Sequence, residues 1–535
     1  MTVINACRVA SLAAVFLASA CAVQYETVPE TEPTRTLSPL HAELDPVNGG
    51  RFVDGEGREV MLSGINLKSL GEYWHYDPEI AAVFPHDETD ADRFADIGWN
   101  AVRLVITWST VEPVPGEYDE AYLDSIEQAI HLSESRGIYT IIDLHQDAWG
   151  PTLAAREDEN CPEGTTAAFG WDGAPGWATL HKDLPRCVPV HPLLGEREFS
   201  PAVMQAFLSF WKDEEGPGGV GIQTRFHSML SHLAQRFSGF DAVLGYDVMN
   251  EPNAWRSELL ALVNPDGETD DQEEYLSRFY QRALHAIRDG ERKAGSPSRL
   301  MLFEPSPDWA QWPGAARPRF EHDGQVVYSP HIYQGGIVDQ PLQEADFIRA
   351  RAEAAEYGGV PILSGEWGTS PARAIDPEDD YFLRHQAYQD KYRVSATQWA
   401  WRTACGDPHL AHSPLTGVDL GIWGFFDVEC PSNRTVGFRD WFADLVRRPL
   451  LRAAPGRIGS IHWDYKNARF SASGSNAAAG QELELFLHRA VDAGDFSLSG
   501  LKNAKLKQDI GPGQVWTATA TAPDWSLQVA LEQGR

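Results

Sequence analysis

The strongest constraint on the fold is a series of short, continuous apolar runs separated by helical stretches. The runs are VMLSGIN (60–66), NAVRLVITW (100–108), IYTIIDLH (138–145), AVLGYDVMN (242–250), RLMLFEPS (299–306), VVYSPHIY (326–333), VPILSGEWG (360–368) and SATQWAWR (395–402). Apolar residues on both faces of a strand fit a parallel sheet covered on both sides. The intervening segments have helical period. Residues 119–136 place Leu123, Ile126 and Ile130 on one face and stop at Gly137, and 223–238 place Phe226, Leu230, Leu233 and Phe237 together before Gly239. Eight strands with helical crossovers predict an α/β fold, a (β/α)8 TIM barrel, over residues 45–455. An open doubly wound sheet is the alternative, but no GxGxxG follows the first run.

The flanks have a different character. Residues 456–535 alternate apolar and polar residues in SIHWDYKNARFSAS, QELELFLHRA and QVWTATATA, which predicts a C-terminal antiparallel β-sandwich. Residues 1–20 carry Arg8, a short apolar stretch and the small residues Ala18-Ser19-Ala20, the pattern of a signal peptide. Cleavage before Cys21 would expose an N-terminal cysteine for a lipid anchor; plain secretion after Ala20 is the other reading. The expected location is outside the cytoplasm: secreted, periplasmic, or on the cell surface. Residues 21–44, rich in Thr, Pro and Glu, read as a flexible tether. Cys161, Cys187, Cys405 and Cys430 remain, and pairing within each segment is expected in an oxidising compartment, although four cysteines allow three connectivities. No CxxC or clustered histidine suggests a metal.

The formal charge of −33 argues against nucleic acid and anionic membranes as partners, and leaves neutral glycans open. No cofactor motif is present, and a monomer is expected.

In a barrel of this kind, chemistry gathers at the carboxyl ends of the strands. Arg103 lies in the second run. His145, Gln146 and Asp147 follow the third, Asn250 and Glu251 the fourth, and Glu304 the fifth. His331 and Tyr333 end the sixth, Glu366 the seventh, and Trp399 and Trp401 the eighth. Four Glu-Pro pairs occur. Glu32 falls in the tether, Glu112 precedes a turn-forming PVPGEYD, and Glu304 is a weaker candidate than Glu251, which has Asn250 beside it. Carboxylates from the fourth and seventh runs suit glycoside hydrolysis, with retention if they stand ~5–5.5 Å apart and inversion at ~6.5–9.5 Å.

With VRL (102–104), DLHQDAW (143–149), MNEP (249–252), HIY (331–333) and GEWG (365–368) in order, the chain resembles glycoside hydrolase family 5, a family of retaining barrels. The resemblance implies Glu251 as acid/base and Glu366 as nucleophile. Asn250 would contact the 2-hydroxyl, and Arg103 would keep the nucleophile ionised. Tyr333 would bond near Glu366, His331 would order the acid/base, and His145 would line the reacting subsite. Structural roles remain open at this point for His145, His331, Arg103 and Trp401.

NLK (66–68), DLHQD (143–147), WDGAPGWAT (171–179) and RPLLRAAPG (448–456) are similar to endoglycoceramidases and related glycolipid hydrolases. That likeness implies sugar contacts from Lys68, Asp147 and Trp177, with a glycolipid or β-linked glycan as substrate. Two departures stand out: a long 150–200 insertion, and Trp171 where the pattern has glycine. GPGGVGIQ (216–223) reads either as the flank of an apolar groove or as a turn. An endo-β-glucanase or mannanase, a steryl or ceramide β-glucosidase, and a non-catalytic sugar-binding lipoprotein are the alternatives.

Overall fold

The computed structural model describes residues 37–75, 77–190, 197–338, 340–374, 380–410, 422–510 and 513–531. The expected signal peptide, Cys21 and most of the tether lie outside them. Eight parallel strands form the central sheet: β1 (Ser63–Leu70), β2 (Ala101–Ile106), β3 (Tyr139–Leu144), β4 (Val243–Asp247), β5 (Leu300–Phe303), β6 (Val326–Tyr328), β7 (Leu363–Ser364) and β8 (Ser395–Gln398). Each strand pairs with its sequence neighbour, β8 pairs with β1, and a parallel bridge between Tyr328 and Ile362 joins β6 to β7. The circle is therefore closed, as the (β/α)8 expectation requires. Residues 101–106 and 139–144 are buried throughout, which explains the absence of alternation in those runs.

The apolar runs were longer than the strands for two reasons. The tails of the fifth, sixth and seventh runs are not strand but the loops that carry Glu304, His331, Tyr333 and Glu366. The first run spans two strands: Glu59–Val60 belongs to another sheet, and β1 starts only at Ser63. The helical readings fit closely. Helix Glu120–Glu134 is capped by Asp119, whose side chain accepts from the Tyr122 amide, and it buries Leu123, Ile126 and Ile130. Helix Ile222–Phe237 buries Phe226, Leu230, Leu233 and Phe237.

The C-terminal sandwich is built from both ends of the chain. One sheet has seven strands, in the order His41–Glu43, Arg51–Val53, Glu59–Val60, Leu450–Ala454, Glu482–Leu487, Gly513–Ala520 and Leu501–Ile510. The other has four strands, between Arg457 and Ala530. A second apolar core, including Phe470, Leu485, Trp516 and Leu527, fills the space between them. The expected sandwich of 456–535 therefore recruits residues 41–60 and 450–454. Residues 37–44, read as the end of a tether, are packed: Leu37, Leu40 and Ala42 are buried and 41–43 is a strand.

Both expected disulfides are present, Cys161–Cys187 and Cys405–Cys430. The first ties down the insertion after β3, next to its small hairpin of Thr165–Ala167 and Cys187–Pro189. The second closes the loop after β8. Residues 216–221 form a tight turn, with a bridge between Glu215 and Gly221 and the Gly216 amide donating to the Val220 carbonyl.

Candidate active site

The site sits at the carboxyl end of the barrel, and its centre is Arg103. This guanidinium is fully buried on β2. Its Nε donates to Asp247 at 2.9 Å, and its Nη1 donates to Asn66 Oδ1 and to Glu366 Oε1, each at 3.0 Å. Its Nη2 donates to Asn250 Oδ1 at 3.0 Å and lies 3.0 Å from Asp143 and 3.4 Å from Glu304. One cation thus meets carboxylates from β3, β4, β5 and β7, which fixes the relative positions of those strand ends. Asn66 completes the frame by donating to the Gly365 carbonyl at 2.9 Å, directly before Glu366.

Glu366 accepts from two donors, Arg103 Nη1 on one oxygen and the Tyr333 hydroxyl on the other at 2.8 Å. Both are the donors an ionised nucleophile uses. Burial and the Glu366 charge push the Tyr333 hydroxyl well above its ordinary pKa, so it stays a donor.

Glu251 faces Glu366. Its backbone is left-handed, with φ of 42°, a conformation that costs a side-chain-bearing residue ~1–3 kcal/mol and recurs at active sites. The Glu251 amide is held by Glu304 Oε2 at 2.9 Å. Glu251 Oε1 shares a hydrogen bond with His331 Nδ1 at 2.9 Å, and that nitrogen is 3.7 Å from Glu366 Oε2. One carboxylate oxygen of Glu251, one of Glu366 and a His331 nitrogen lie within 4.8 Å of one another. Burial pushes the Glu251 carboxyl up to about 7, with the Glu366 charge adding to the rise and His331 opposing it. His331 moves up despite burial, because Glu304, Glu366 and Glu251 surround it. The raised carboxyl of Glu251 is suited to donate a proton, and the two donors on Glu366 are suited to an ionised carboxylate.

A second polar cluster adjoins this centre. His145 stacks on Trp399 with ring centroids 5.1 Å apart, and its Nδ1 bonds to Asp143 at 2.7 Å. Its Nε2 lies 3.7 Å from Asp147 Oδ2. Burial would lower the His145 pKa, but Asp143 and Asp147 outweigh it and hold the ring protonated. The same cation, with Arg197 and His409, overcomes burial and holds the Asp147 carboxyl below its usual range. Lys68 makes a buried ion pair with Asp407 and sits over the Trp399 ring at 5.2 Å. Asp407 also accepts from His409 Nδ1 at 2.7 Å.

The structure gathers Lys68, Arg103, His145, Asp147, Asn250, Glu251, His331, Tyr333, Glu366 and Trp399 around one space, while Trp177 and Trp401 engage other partners. Trp177 makes other contacts: its Nε1 donates to the Glu112 carbonyl, and its ring packs edge-on against Trp108, 5.1 Å away. A further indole in the cluster is Trp171, whose Nε1 donates to Asp147 Oδ2 at 2.6 Å and whose ring packs on His409 at 4.8 Å. Trp401 is core. Its Nε1 donates to Asp90 at 2.9 Å, and Phe94, Phe425 and Phe426 surround it. The fault lay in strand geometry: successive residues point to opposite faces, so Trp399 and Trp401 could share a face only while the strand continued, and β8 ends at Gln398.

Several groups escaped the sequence reading. Asp143 and Asp247 sit inside apolar runs, where they read as strand interruptions. Asp407 and His409, the latter in the short 3-10 helix Pro408–Leu410, lie beyond β8 with no local signature. Asp172 belongs to the DGAP segment; its carboxylate accepts from the Asp147 amide at 2.9 Å. The following Gly173 is obligatory, since a Cβ there would lie 2.6 Å from Gln146 Cβ. Glu112 has the loop role expected of it, accepting from Trp108 Nε1 at 2.8 Å and the Gly116 amide at 2.6 Å.

Comparison with known proteins agrees with this geometry. The model of the cellulase family (glycosyl hydrolase family 5) matches residues 53–404. The chain is 26% identical over 468 residues to endoglycoceramidase I of Rhodococcus hoagii (strain 103S), covering 85% of this chain and 81% of that protein. A glucosylceramidase of Rhizopus delemar is 25% identical over 270 residues, 42% of this chain and 37% of its own. The crystal structure of an endogalactoceramidase superposes with a TM-score of 0.77 at 32% identity, covering 92% of this chain and all of that one. A barrel closed by eight parallel strands, two facing glutamates on β4 and β7 loops, and a family match over most of the barrel have one reading: the chain belongs to glycosyl hydrolase family 5 and is a glycoside hydrolase.

Proposed function

We propose that this enzyme cuts the β-glycosidic bond between glycan and ceramide in glycosphingolipids, with net retention at the anomeric carbon. The observation that carries the mechanism is that a carboxylate oxygen of Glu251 and one of Glu366 lie within 4.8 Å of each other, the close approach that a retaining pair requires. The substrate reading is supported by the named relatives and by the surface beside the site. Leu262, Trp312 and Ile337 are exposed on the loops that follow β4, β5 and β6. Arg256 lies 5.9 Å from the Trp312 ring and Gln340 donates to the Gln311 carbonyl, so these loops touch. Apolar side chains on the rim suit a lipid leaving group.

In the first step Glu366 attacks the anomeric carbon while Glu251 gives its proton to the departing ceramide oxygen. The glycosidic C–O bond breaks and a glycosyl ester forms on Glu366. In the second step Glu251, now a base, takes a proton from water, which attacks the same carbon and frees Glu366. Arg103 and Tyr333 receive the nucleophile's charge when it returns. Lys68, Asp147 and Trp171 offer donors and acceptors to sugar hydroxyls on the glycone side. Export by residues 1–20, with a lipid anchor at Cys21, would place the enzyme beside membrane glycolipids; radiolabelled fatty acid incorporation into wild type but not Cys21→Ser tests the anchor.

The test of function is a product panel. Lactosylceramide, galactosylceramide and glucosylceramide are incubated with the enzyme beside a soluble β-glucan, and products are identified by mass spectrometry. Release of ceramide with an intact glycan is expected. Turnover of the glucan alone would favour an endo-β-glucanase, and binding without turnover of anything would favour a sugar-binding protein.

A further inference from the structure

The polar cluster beside the two glutamates ends in a stack of rings, and Trp171 is its middle member. The Arg197 guanidinium lies over the Trp171 ring at 3.5 Å, Trp171 meets His409 at 4.8 Å, and His409 meets Trp399 at 5.3 Å and Tyr73 at 5.9 Å. These side chains come from three segments: 71–75 after β1, the insertion after β3, and 405–410 after β8. Carboxylates fasten the stack. Trp171 Nε1 donates to Asp147, and His409 and Lys68 both pair with Asp407.

This wall stands close to the reacting carbon. From Glu366 the contacts run to Arg103 at 3.0 Å, on to Asp143 at 3.0 Å and His145 at 2.7 Å, and from His145 to Asp147 at 3.7 Å. The Asp147 charge also contributes to the raised Glu251 carboxyl. A pyranose with its anomeric carbon between the two glutamates would reach Asp147 and Lys68 with the hydroxyls at its far end. A second sugar on those hydroxyls would run into the Trp171 ring. That ring is fixed: Trp171 and Tyr73 are buried, and the backbone beneath is pinned on both sides. The Trp171 carbonyl accepts from the Trp74 amide at 2.7 Å, the Asp172 carboxyl accepts from the Asp147 amide at 2.9 Å, and the Gly173 carbonyl accepts from the Ser109 amide at 2.8 Å.

We propose that Trp171 is a specificity-determining residue that ends the glycone subsite after one sugar. The preferred substrates are then glycosides of a single β-linked hexose and, within the glycolipid class, monoglycosylceramides over ceramides that carry longer glycans. The inference rests on the reading of Glu251 and Glu366 as the catalytic pair. It does not rest on the lipid, because the glycone is read on the other side of the scissile bond.

The full-length enzyme is assayed on an aryl β-glucoside, β-galactoside and β-lactoside sharing one leaving group, read as release of the aryl alcohol. Glucosyl-, galactosyl- and lactosylceramide of one acyl chain follow. Discrimination is a ratio of kcat/KM values, and wild type should favour the better monosaccharide over the lactoside by at least about tenfold. Trp171→Ala should shrink that ratio by about tenfold, through a gain on the lactoside. Trp171→Phe keeps a ring but loses the donor to Asp147, so the ratio should stay near wild type's. A merely structural lesion lowers both substrates together and leaves the ratio alone. Comparable kcat/KM for mono- and disaccharide in wild type, or a ratio unmoved in Trp171→Ala, would overturn the proposal. If Trp171→Ala does not fold, Trp171→Leu takes its place. Glu366→Gln is run beside them: turnover surviving there would sink the catalytic pair and this inference with it. A shifted ratio on the aryl glycosides without release of ceramide would uphold the inference and sink only the lipid reading.

Discussion

The backbone amide of Glu251 donates to Oε2 of Glu304 at 2.9 Å, so Glu251, the acid/base residue proposed above, is held in its left-handed backbone by a carboxylate from the next strand. The other Glu304 oxygen lies 3.2 Å from His331 Nε2 and 3.4 Å from Arg103. Glu304 is thus a positioning residue for both halves of the site. Glu304→Gln keeps an acceptor for the amide but removes the charge. His331 loses the largest of the charges that raise its pKa, and a less cationic His331 does less to lower Glu251. The basic limb of the kcat/KM profile should move to higher pH, with kcat falling by about ten- to a hundredfold. An unmoved limb would separate Glu304 from the proton chemistry.

The Glu251 carboxyl is raised to about 7. The first step needs the protonated form, so kcat/KM should fall as pH rises through about 7. Glu251→Gln should cost ~10²–10⁴-fold on a lipid leaving group and far less on an activated aryl glycoside, which departs without a proton. A stability effect follows from the same shift. A carboxyl raised in the folded state binds more protons there than when unfolded, so its contribution to stability is present below the unfolded value of 4.5 and is lost as pH rises through about 7. Glu251→Gln should flatten that part of the Tm–pH curve and melt no lower than wild type at pH 8.

The two tryptophans of the DGAP segment should separate in their phenotypes. Trp171→Phe removes the donor to Asp147 beside the glycone, so KM should rise by up to about tenfold with Tm little changed. Trp177→Phe removes a bond to the Glu112 carbonyl, so Tm should fall while KM holds. Kinetics and melting on the same preparations check both.

Asp407→Asn leaves Lys68 buried without its counter-charge. Breaking one side of a buried pair costs ~3–5 kcal/mol. The variant should lose stability by that order and raise KM, because Lys68 no longer faces the glycone from a fixed position. Comparable kcat with raised KM would place the Asp407 loop in binding rather than chemistry.

How much of this was legible in the sequence depended on whether a residue's signal was local. The barrel was, because eight doubly buried strands write eight continuous apolar runs. Glu251 and Glu366 were, because each stands at the carboxyl end of such a run and so falls on the rim of the barrel. The partners of Lys68 and Asp147 were not. Asp407 lies 339 residues from Lys68 in sequence, in an irregular loop placed by a disulfide. Trp171 was visible only as a departure from the family pattern, and that departure occupies the site. The sandwich boundary was hidden because residues 41–43, 51–53 and 59–60 form strands of two or three residues, too short for alternation to show.

The stereochemistry of hydrolysis tests the central claim most directly. Proton NMR of the sugar released in the first minutes of reaction, before mutarotation, reports which anomer forms. Two carboxylates within 4.8 Å predict the β-anomer first, from a β-linked substrate. The α-anomer first would mean that water attacks directly, and Glu366 could not be the nucleophile described here.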